Sequence, residues 1–465
     1  MALAVLLIES AVFFTAFFVL LRTADASVGG AMAGVNQPVA ALVLAGFCIG
    51  ALYYSELYDL KKVRSFWTCL ARVSRACAVA LVPIGFLLYA VLPSGRLTWI
   101  AVLAASVVAV GTVVVSRSIW LQLLQSRPFT EQVVVLGKTP LARALITELQ
   151  ARPAYRVLDM LPGGFRRTLK ADGEVTLASL SRHMTAEVRP TRIVVALSER
   201  RGRLPVDLLL DAKREGIMIE DGIALYERLT GKLAIETLQP SHLIFAPEFG
   251  PSAVHNCFGR SLSVLVAVLG VVVCAPLLLI IAALVKMDSA GPVLFVQDRI
   301  GKDGRRFPLM KFRTMAPLEG RRSEWVMDNK DRITRVGRWL RKFRLDELPQ
   351  LFNILAGHMN LVGRRPHPAS NYDLFMASIP FYGFRSLVRP GITGWAQVRY
   401  GYANNLKEET EKMRYDLYYI KHRSLGMDLE ILLQTAKVVV LGHECKMVNE
   451  LPISEPLFDE RTDAA

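Results

Sequence analysis

No two of the six cysteines (Cys48, Cys69, Cys77, Cys257, Cys274 and Cys445) stand as Cys-x-x-Cys, and most lie in apolar stretches. That spacing gives neither a zinc site nor a disulfide framework, so the thiols read as small buried hydrophobes in a reducing compartment. Acidic residues are also in deficit: 41 Asp and Glu face 56 Lys and Arg, a formal net charge of +15. Such a balance points to nucleic acid, an anionic lipid surface or a phosphorylated substrate, and charge alone does not choose among them. A third lack is an intact dinucleotide fingerprint. Gly137-Lys-Thr-Pro-Leu-Ala142 follows a strand-like run but keeps only the first glycine, and a side chain at the second position would obstruct a pyrophosphate. No basic n-region precedes the first apolar stretch, so a cleavable signal peptide is not expected.

What the chain has in quantity is apolar sequence, 52% of 465 residues, more than an ordinary soluble enzyme of this length carries. Residues 3–21, 39–54, 76–92 and 99–120 are each near the ~20 residues that cross a bilayer core, which predicts four spanning helices. Lys61, Lys62, Arg64 and Arg72 lie between the second and third of these, and Arg117 and Arg127 close the fourth, against only Arg22 and Arg96 in the opposite loops. The positive-inside rule then puts both ends of the unit in the cytoplasm.

From residue 131 the pattern changes to α/β. Residues 133–136 and 192–197 read as buried strands, and 141–149 and 206–215 as helices, a Rossmann-like unit. Residues 249–260 form a Gly/Pro/Ser-bearing linker, and 262–285 are a second kind of apolar segment, long enough to span but followed at once by Arg299, Lys302, Arg305, Arg306, Lys311 and Arg313. Those cations argue against translocation. A helix that enters the cytoplasmic leaflet, breaks at Ala275-Pro276 and returns satisfies both the hydropathy and the charge, because proline removes a backbone donor and bends the helix.

Chemistry concentrates between residues 291 and 397. Arg299, Lys311 and Arg313 stand on strand-like and turn-like text where a diphosphate could sit, arginine offering a planar fork and lysine a point charge. Residues 331–341 place apolar positions at helical spacing with basic residues between them. In Arg344-Leu-Asp-Glu-Leu-Pro-Gln350, the residues Leu345, Leu348, Phe352 and Leu355 fall on one helix face. Asp346 and Glu347 would then stand about 100° apart, able to reach two points of one ligand. One carboxylate could attack phosphorus while the other holds a divalent cation, for which Mg²⁺ is the natural choice. His358 and His367 lack the spacing of a metal site.

Phe295-x-Gln297-x-Arg299-x-Gly301, Lys311-Phe-Arg-Thr-Met315, Leu345-Asp-Glu-Leu-Pro-Gln350, Leu361-Val-Gly363 with Arg365-Pro366, and Arg389-Pro-Gly-Ile-Thr-Gly-Trp-Ala-Gln397 together resemble the ordered motif series of the bacterial sugar transferase family. The likeness covers residues 260–442. It implies a monotopic phosphoglycosyl transferase that moves a sugar 1-phosphate from a nucleotide diphosphosugar to polyprenyl (undecaprenyl) phosphate, initiating exopolysaccharide or O-antigen assembly. It also implies Asp346 as nucleophile, Glu347 as Mg²⁺ ligand, Ala275-Pro276 as the helix break, and functional roles for Arg365, Asp416 and Asp428, with Arg299, Lys311, Arg313 and Arg389 among the substrate-binding residues. The segment from Tyr226 to Lys232, with Leu243-Ile-Phe245, further resembles the subgroup linked to exosortase-type exopolysaccharide loci.

The expected fold is membrane α plus α/β: a four-helix transmembrane unit (1–125), a degenerate Rossmann-like domain (130–248), and a catalytic domain (255–465) with its re-entrant helix at 262–285. The expected setting is the bacterial inner membrane, multi-pass, with soluble domains facing the cytoplasm, no nucleic-acid partner, and homodimer formation left open. Two departures from the family pattern, Gly357-His358-Met359-Asn360 and Gly363-Arg364-Arg365-Pro366, are expected to alter the pocket rim and so the choice of sugar or nucleotide; Ala275 also stands where the family favours serine. Two other classes share part of the plan. A membrane-bound nucleotide-sugar dehydratase would need the full glycine fingerprint and a Tyr-x-x-x-Lys pair, which Tyr418 and Lys421 do not make. A non-catalytic nucleotide-binding scaffold would release no nucleoside monophosphate from nucleotide sugars.

Overall fold

The computed structural model describes residues 2–27, 36–54, 130–152, 154–161, 189–197, 204–235, 249–250, 253–316, 332–401 and 405–441, with a few isolated positions elsewhere. The architecture mixes helical and α/β parts. It divides into two compact units, Met1–Val134 with Ile146–Asp159 and Arg182–Arg192, and Val135–Leu145 with Met160–Ser181 and Ile193–Ala465.

At the start of the chain, α1 (Ala2–Ser27) and α2 (Gln37–Tyr54) pack on each other through Phe13, Phe17 and Leu21 on one side and Leu44, Ala45, Cys48 and Leu52 on the other. Asn36 accepts a bond from the Val39 amide, and Pro38 sits in the first turn of α2, where its missing N–H costs nothing. The first two predicted spans fall on these helices. Of the predicted spans at 76–92 and 99–120 only Ala76 and residues 111, 113–115 and 119 are described, all helical, with Ala76 and Val113 in the same apolar cluster; the loop cations Lys61, Lys62, Arg64 and Arg72 lie outside the described residues.

The middle region is a four-stranded sheet, order β2-β1-β3-β4, built from β1 (Glu131–Leu136), β2 (Tyr155–Leu161), β3 (Arg192–Val195) and β4 (Met218–Asp221). Helices α3 (Pro140–Gln150), α4 (Val206–Arg214) and α5 (Gly222–Thr230) alternate with the strands. Sequence patterning finds β1, β3, α3 and α4 but not β2, which is half-buried along its length without alternation, nor the four-residue β4 and the helix that follows it. Gly137 holds φ +123, and a Cβ there would stand 2.3 Å from the Ala196 carbonyl oxygen, so the turn after β1 requires glycine. Thr139, at the second fingerprint position, donates its hydroxyl to Ala196 O and accepts from the Ala142 amide, capping α3 with its own side chain.

Helix α6 (Ala253–Asp288) is 36 residues long, about 54 Å at helical rise, and continues through Ala275 and Pro276. Among the described residues it is the one helix long and apolar enough to cross a membrane, by length and composition. Val272, Val273 and Leu279 are 68–73% exposed on its outer face. Its inner face packs twice on the same body: Ala267 against Leu309, Leu351 and Ile354, and Ile281 with Val285 against Phe312 and Leu340. Arg260 near one end donates to the carbonyls of Met359 and Ile354, while Asp288 at the other accepts from the Val336 amide. Of the three described free cysteines, Cys48 is buried, but Cys257, on the first turns of α6, is exposed rather than the buried hydrophobe expected.

An antiparallel hairpin follows, β5 (Leu294–Ile300) on β6 (Arg306–Phe312), pairing Phe295 with Lys311 and Arg299 with Phe307. Next come α7 (Arg335–Lys342), a 3₁₀ turn (Leu345–Glu347), α8 (Gln350–Leu355), β7 (Asn360–Val362) and α9 (Ala369–Ser378). The chain continues through a 3₁₀ segment (Tyr382–Leu387), β8 (Gly391–Thr393) parallel to β7, α10 (Trp395–Arg399), α11 (Leu406–His422) and α12 (Leu425–Leu441). The predicted single helix face over 345–355 is corrected here. Arg344 takes a left-handed φ of 54 that stops α7, and Pro349, lacking an N–H, restarts the helix as the N-cap of α8. Leu345 and Leu348 therefore pack against α6, whereas Phe352 and Leu355 are exposed. Asp346 and Glu347 sit on the 3₁₀ turn, about 120° apart rather than 100°.

Helix α7 approaches the end of β6 so closely that a Cβ on Gly337 would lie 2.2 Å from Thr314 O. Gly337→Ala should therefore cost about 1–3 kcal/mol of stability, the usual penalty for overpacking. A thermal melt of the detergent-solubilised protein checks this, and an unchanged midpoint would show that the close approach is dispensable.

Candidate active site

Three elements meet around the acidic pair. Asn353, fully buried on α8, accepts from the Met310 amide and donates to Pro308 O, which fixes α8 to β6 and so sets the register between the acidic turn and Lys311. On α7, Arg341 donates through Nε to Thr314 Oγ1, and Thr334 caps the helix by accepting from the Gly337 amide. Arg299 on β5 is held by its bonds to Gln297 Oε1 at 2.6 Å and to Pro366 O at 3.1 Å.

The result is a cavity of about 100 Å³ lined by Asp346, Glu347, Arg299, Lys311, Arg341, Arg344 and Arg365, with Gln350 and Pro366 among the remaining walls. Five cations face two carboxylates, so the space favours further negative charge. The Lys311 ammonium lies 5.2 Å from the Phe295 ring centre. Burial lowers the Lys311 pKa to about 8, helped by the neighbouring Arg299 and Arg365 charges.

The two acids differ in their partners. Glu347 Oε1 accepts from both Nη1 and Nη2 of Arg365 at 3.1 Å, and although burial works the other way, the Arg365 and Arg344 guanidiniums hold its carboxyl below the usual range. Asp346 is 9% exposed and accepts no hydrogen bond among the described residues. Burial first, and the Glu347 charge second, push its pKa up to about 6 against the pull of Lys311, Arg341 and Arg365. One carboxylate is thus locked and ionised, and its neighbour is unbound and near neutrality in its titration.

The other predicted site residues are dispersed. Arg313 is buried and donates to Ser289 O and Oγ, tying the end of β6 to the turn after α6. Arg389 and Asp428 line a separate cavity of about 250 Å³ with His255, Asn256, Tyr419 and Arg423, where Tyr419 donates to Asp428 Oδ1 at 2.8 Å. Ala275 and Pro276 lie along α6. The expected pocket rim is also corrected. His358 is exposed against the Phe307 ring, and Arg364 is 2% exposed with Nη2 on the carbonyls of Ile300 and Gly301, so neither lines the acidic cavity.

Asp416 is likewise away from the cavity, in a buried cluster centred on Arg385. Arg385 Nε and Nη2 donate to Asp416 Oδ2 at 2.9 and 2.6 Å, and Nη2 also donates to the carbonyl of Arg365. His367 Nδ1 takes contacts from Arg385 Nη1 at 2.6 Å and Tyr382 Oη at 2.5 Å, while Nε2 stands 2.9 Å from Glu409 Oε1. Burial, with the Arg385 charge, drives the His367 pKa down to about 3. Asp416 thus positions the backbone of Arg365 rather than touching the cavity. Sequence reading misses Arg341, Arg344 and Gln350 as lining residues, and misses Arg385 altogether. Arg341 and Arg344 stand in or beside the acidic motif, but Arg385, a lone cation among aromatic and small residues, carries no local signal.

Comparison with known proteins places this geometry. The family described as Bacterial sugar transferase matches residues 254–442. An Aeromonas hydrophila UDP-N-acetylgalactosamine-undecaprenyl-phosphate N-acetylgalactosaminephosphotransferase is 42% identical over 217 residues, 46% of this chain and 51% of that one. A Xanthomonas campestris pv. campestris UDP-glucose:undecaprenyl-phosphate glucose-1-phosphate transferase is 46% identical over 173 residues, 36% of each chain. The chain thus spans about half or less of these two relatives. It covers 92% of the exopolysaccharide production protein PSS of Rhizobium leguminosarum bv. phaseoli, at 38% identity over 185 residues that make up 38% of this chain. With a relative covered nearly end to end, and with the acidic turn and its cations inside the matched segment, the chain belongs to the bacterial sugar transferase family.

Proposed function

We propose that this protein transfers a sugar 1-phosphate from a nucleotide diphosphosugar to a polyprenyl phosphate, with Asp346 as nucleophile. The observation that carries the reading is the unbound, buried Asp346 carboxylate in a cavity ringed by Arg299, Lys311, Arg341, Arg344 and Arg365. The names of two relatives, which act with UDP-sugars on undecaprenyl phosphate, support the same donor and acceptor classes here.

In the first step an Asp346 oxygen attacks the phosphorus bearing the sugar, the bond from that phosphorus to the bridging oxygen breaks, and nucleoside monophosphate leaves. In the second, a phosphate oxygen of the lipid attacks the same phosphorus and returns the Asp346 carboxylate. Forming the covalent intermediate lets one carboxylate meet a cytosolic and a membrane substrate in turn. The cationic ring neutralises the diphosphate as charge moves onto the leaving group. Glu347 is the residue that would hold Mg²⁺: Oε1 takes both Arg365 bonds, leaving Oε2 without a hydrogen bond among the described residues, and Asp346 offers a second hard oxygen nearby. Since no group of three or more metal-ligating side chains stands among the described residues, the remaining ligands would be substrate phosphates and water. When bound, the ion would neutralise phosphate charge.

The same reading extends to the membrane. The two ends of α6 bond to one charged body, Arg260 to α8 and its following turn and Asp288 to α7, which supports a helix that enters and leaves the membrane on one face rather than crossing it. Pro276, inside the helix, is the residue that would supply the bend. The protein would then sit at the cytoplasmic face of the inner membrane, with residues 1–125 as its spanning unit, 130–248 as a Rossmann-like domain and 255–465 as the catalytic domain.

Mass spectrometry after mixing the protein with nucleotide sugar, without lipid, should find a sugar-phosphate adduct on the peptide containing Asp346. Asp346→Asn should abolish both adduct and transfer, while Glu347→Gln should retain adduct formation only at raised Mg²⁺; a wild-type protein that transfers sugar phosphate without any adduct would sink the covalent step. The pH profile of kcat/KM should be bell-shaped. Activity should be lost as pH falls through about 6, where Asp346 takes a proton, and again as it rises through about 8, where Lys311 loses one. Lys311→Arg should move only the alkaline limb upward; an alkaline limb that stays in place in that variant assigns it to another group.

A further inference from the structure

A second cavity, of about 260 Å³, adjoins the catalytic one and shares Arg344 and Glu347 with it. Its walls are otherwise nearly all apolar: Leu345, Leu348 and Leu351 from the acidic turn and α8, Leu361 and Ile392 from the strands, and Val438 from α12. Three polar residues face it, Thr393, Thr435 and Gln397; Gln397 turns its amide nitrogen to Ile392 O at 3.0 Å and leaves only Oε1 unpaired among the described residues. Thr435 donates its hydroxyl to Ile431 O at 2.7 Å, and Thr393 Oγ1 lies 2.6 Å from Thr435 Oγ1, so both hydroxyls are engaged with each other and with the backbone. Leu345 and Leu348 also pack against the α6 cluster of Ile281 and Val285, which makes this wall continuous with the apolar helix. The elements that line the cavity expose large apolar side chains besides: Phe352 and Leu355 on α8, and Leu429 and Leu433 on α12.

A nucleotide sugar, polar from end to end, has no use for such a space. A ligand with an anionic head and an apolar tail would match both cavities at once, the head among Lys311, Arg344 and Arg365 and the tail between α8 and α12. Resting on the transfer reading above, we propose that this apolar cavity receives the first isoprene units of the polyprenyl phosphate, threading the acceptor from the α6 side toward Asp346. Leu348, Ile392 and Val438 then select the acceptor by its branched tail, while the donor never touches them. The occupied cavity also brings the lipid phosphate to the covalent phosphosugar from the side of Glu347.

The test uses the full-length protein in detergent and a polyprenyl phosphate carrying a photoreactive diazirine in its second isoprene unit. Irradiation should label peptides containing residues 345–351, 392–398 or 435–438, and unlabelled polyprenyl phosphate should compete while phosphatidylglycerol at the same concentration does not. Label confined to the outer face of α6, or equal competition by phosphatidylglycerol, overturns the proposal. Val438→Phe, which narrows the cavity at its half-buried rim, should raise the acceptor KM about tenfold, the equivalent of losing a methylene or two of burial. Its burst of nucleoside monophosphate without lipid should match wild type; an unchanged acceptor KM in a variant with a normal burst likewise overturns it. Were nucleoside monophosphate never released by the wild type, the transfer reading would fail while the labelling pattern still reported on the cavity.

Discussion

The guanidinium of Arg385 is the constraint on which the site depends. It is 2% exposed, carries a full charge, and meets Asp416, His367, Tyr382 and the carbonyl of Arg365. A buried cation is tolerated only when its donors are met and its charge is balanced, so the surrounding groups have little freedom to choose other partners. Burial and the Arg385 charge keep His367 neutral beside it. Through the Arg365 backbone that rigidity reaches Glu347, whose ion pair holds one wall of the acidic cavity. Asp416, outside the acidic cavity, matters because it keeps Arg385 in place.

The acidic turn uses the opposite device. Around Asp346 the charges are deliberately out of balance, five cations against two carboxylates, and the missing negative charge belongs to a ligand. Burial alone would leave Asp346 protonated and inert; the cations return its pKa toward neutrality without bonding to it, which leaves its oxygens open. The left-handed Arg344 and the restart at Pro349 explain why the pair stands on a tight 3₁₀ turn. A regular helix would bury one acid's neighbours behind the other, whereas the turn directs both residues to the same cavity.

Much of this was readable from the residues alone. The motifs around Asp346 and Lys311 locate the acidic cavity because its carboxylates and most of its cations are close in sequence, and the apolar run of α6 is unmistakable by length. What escaped reading depends on contacts between distant segments. Arg385 and Asp416 are 31 positions apart, and His367 and Glu409 are 42 apart, so neither local spacing nor period reveals them. The reading of Arg364 and His358 as rim residues failed for a related cause: adjacency to a motif does not say which way a side chain turns, and Arg364 turns inward to close the β5–β6 turn. Strand β2 stayed hidden because half-burial on both faces leaves no alternation to detect.

Helix α5 of the middle region bears directly on α11, within one compact unit. Gly231 O accepts from the Trp395 indole at 2.9 Å, the Leu233 amide donates to Arg414 O, Lys232 pairs with Glu411, and Glu227 pairs with Lys421. Helix α11 also carries Glu409 and Asp416, so the family segment that begins near residue 254 is completed by residues upstream of it. A polypeptide trimmed to the family segment would leave a buried indole N–H without its acceptor and two ion pairs without one member each. For this chain, then, the smallest autonomous folding unit is longer than the family segment, and insertion or fusion points belong before α5 rather than at the linker that composition suggests.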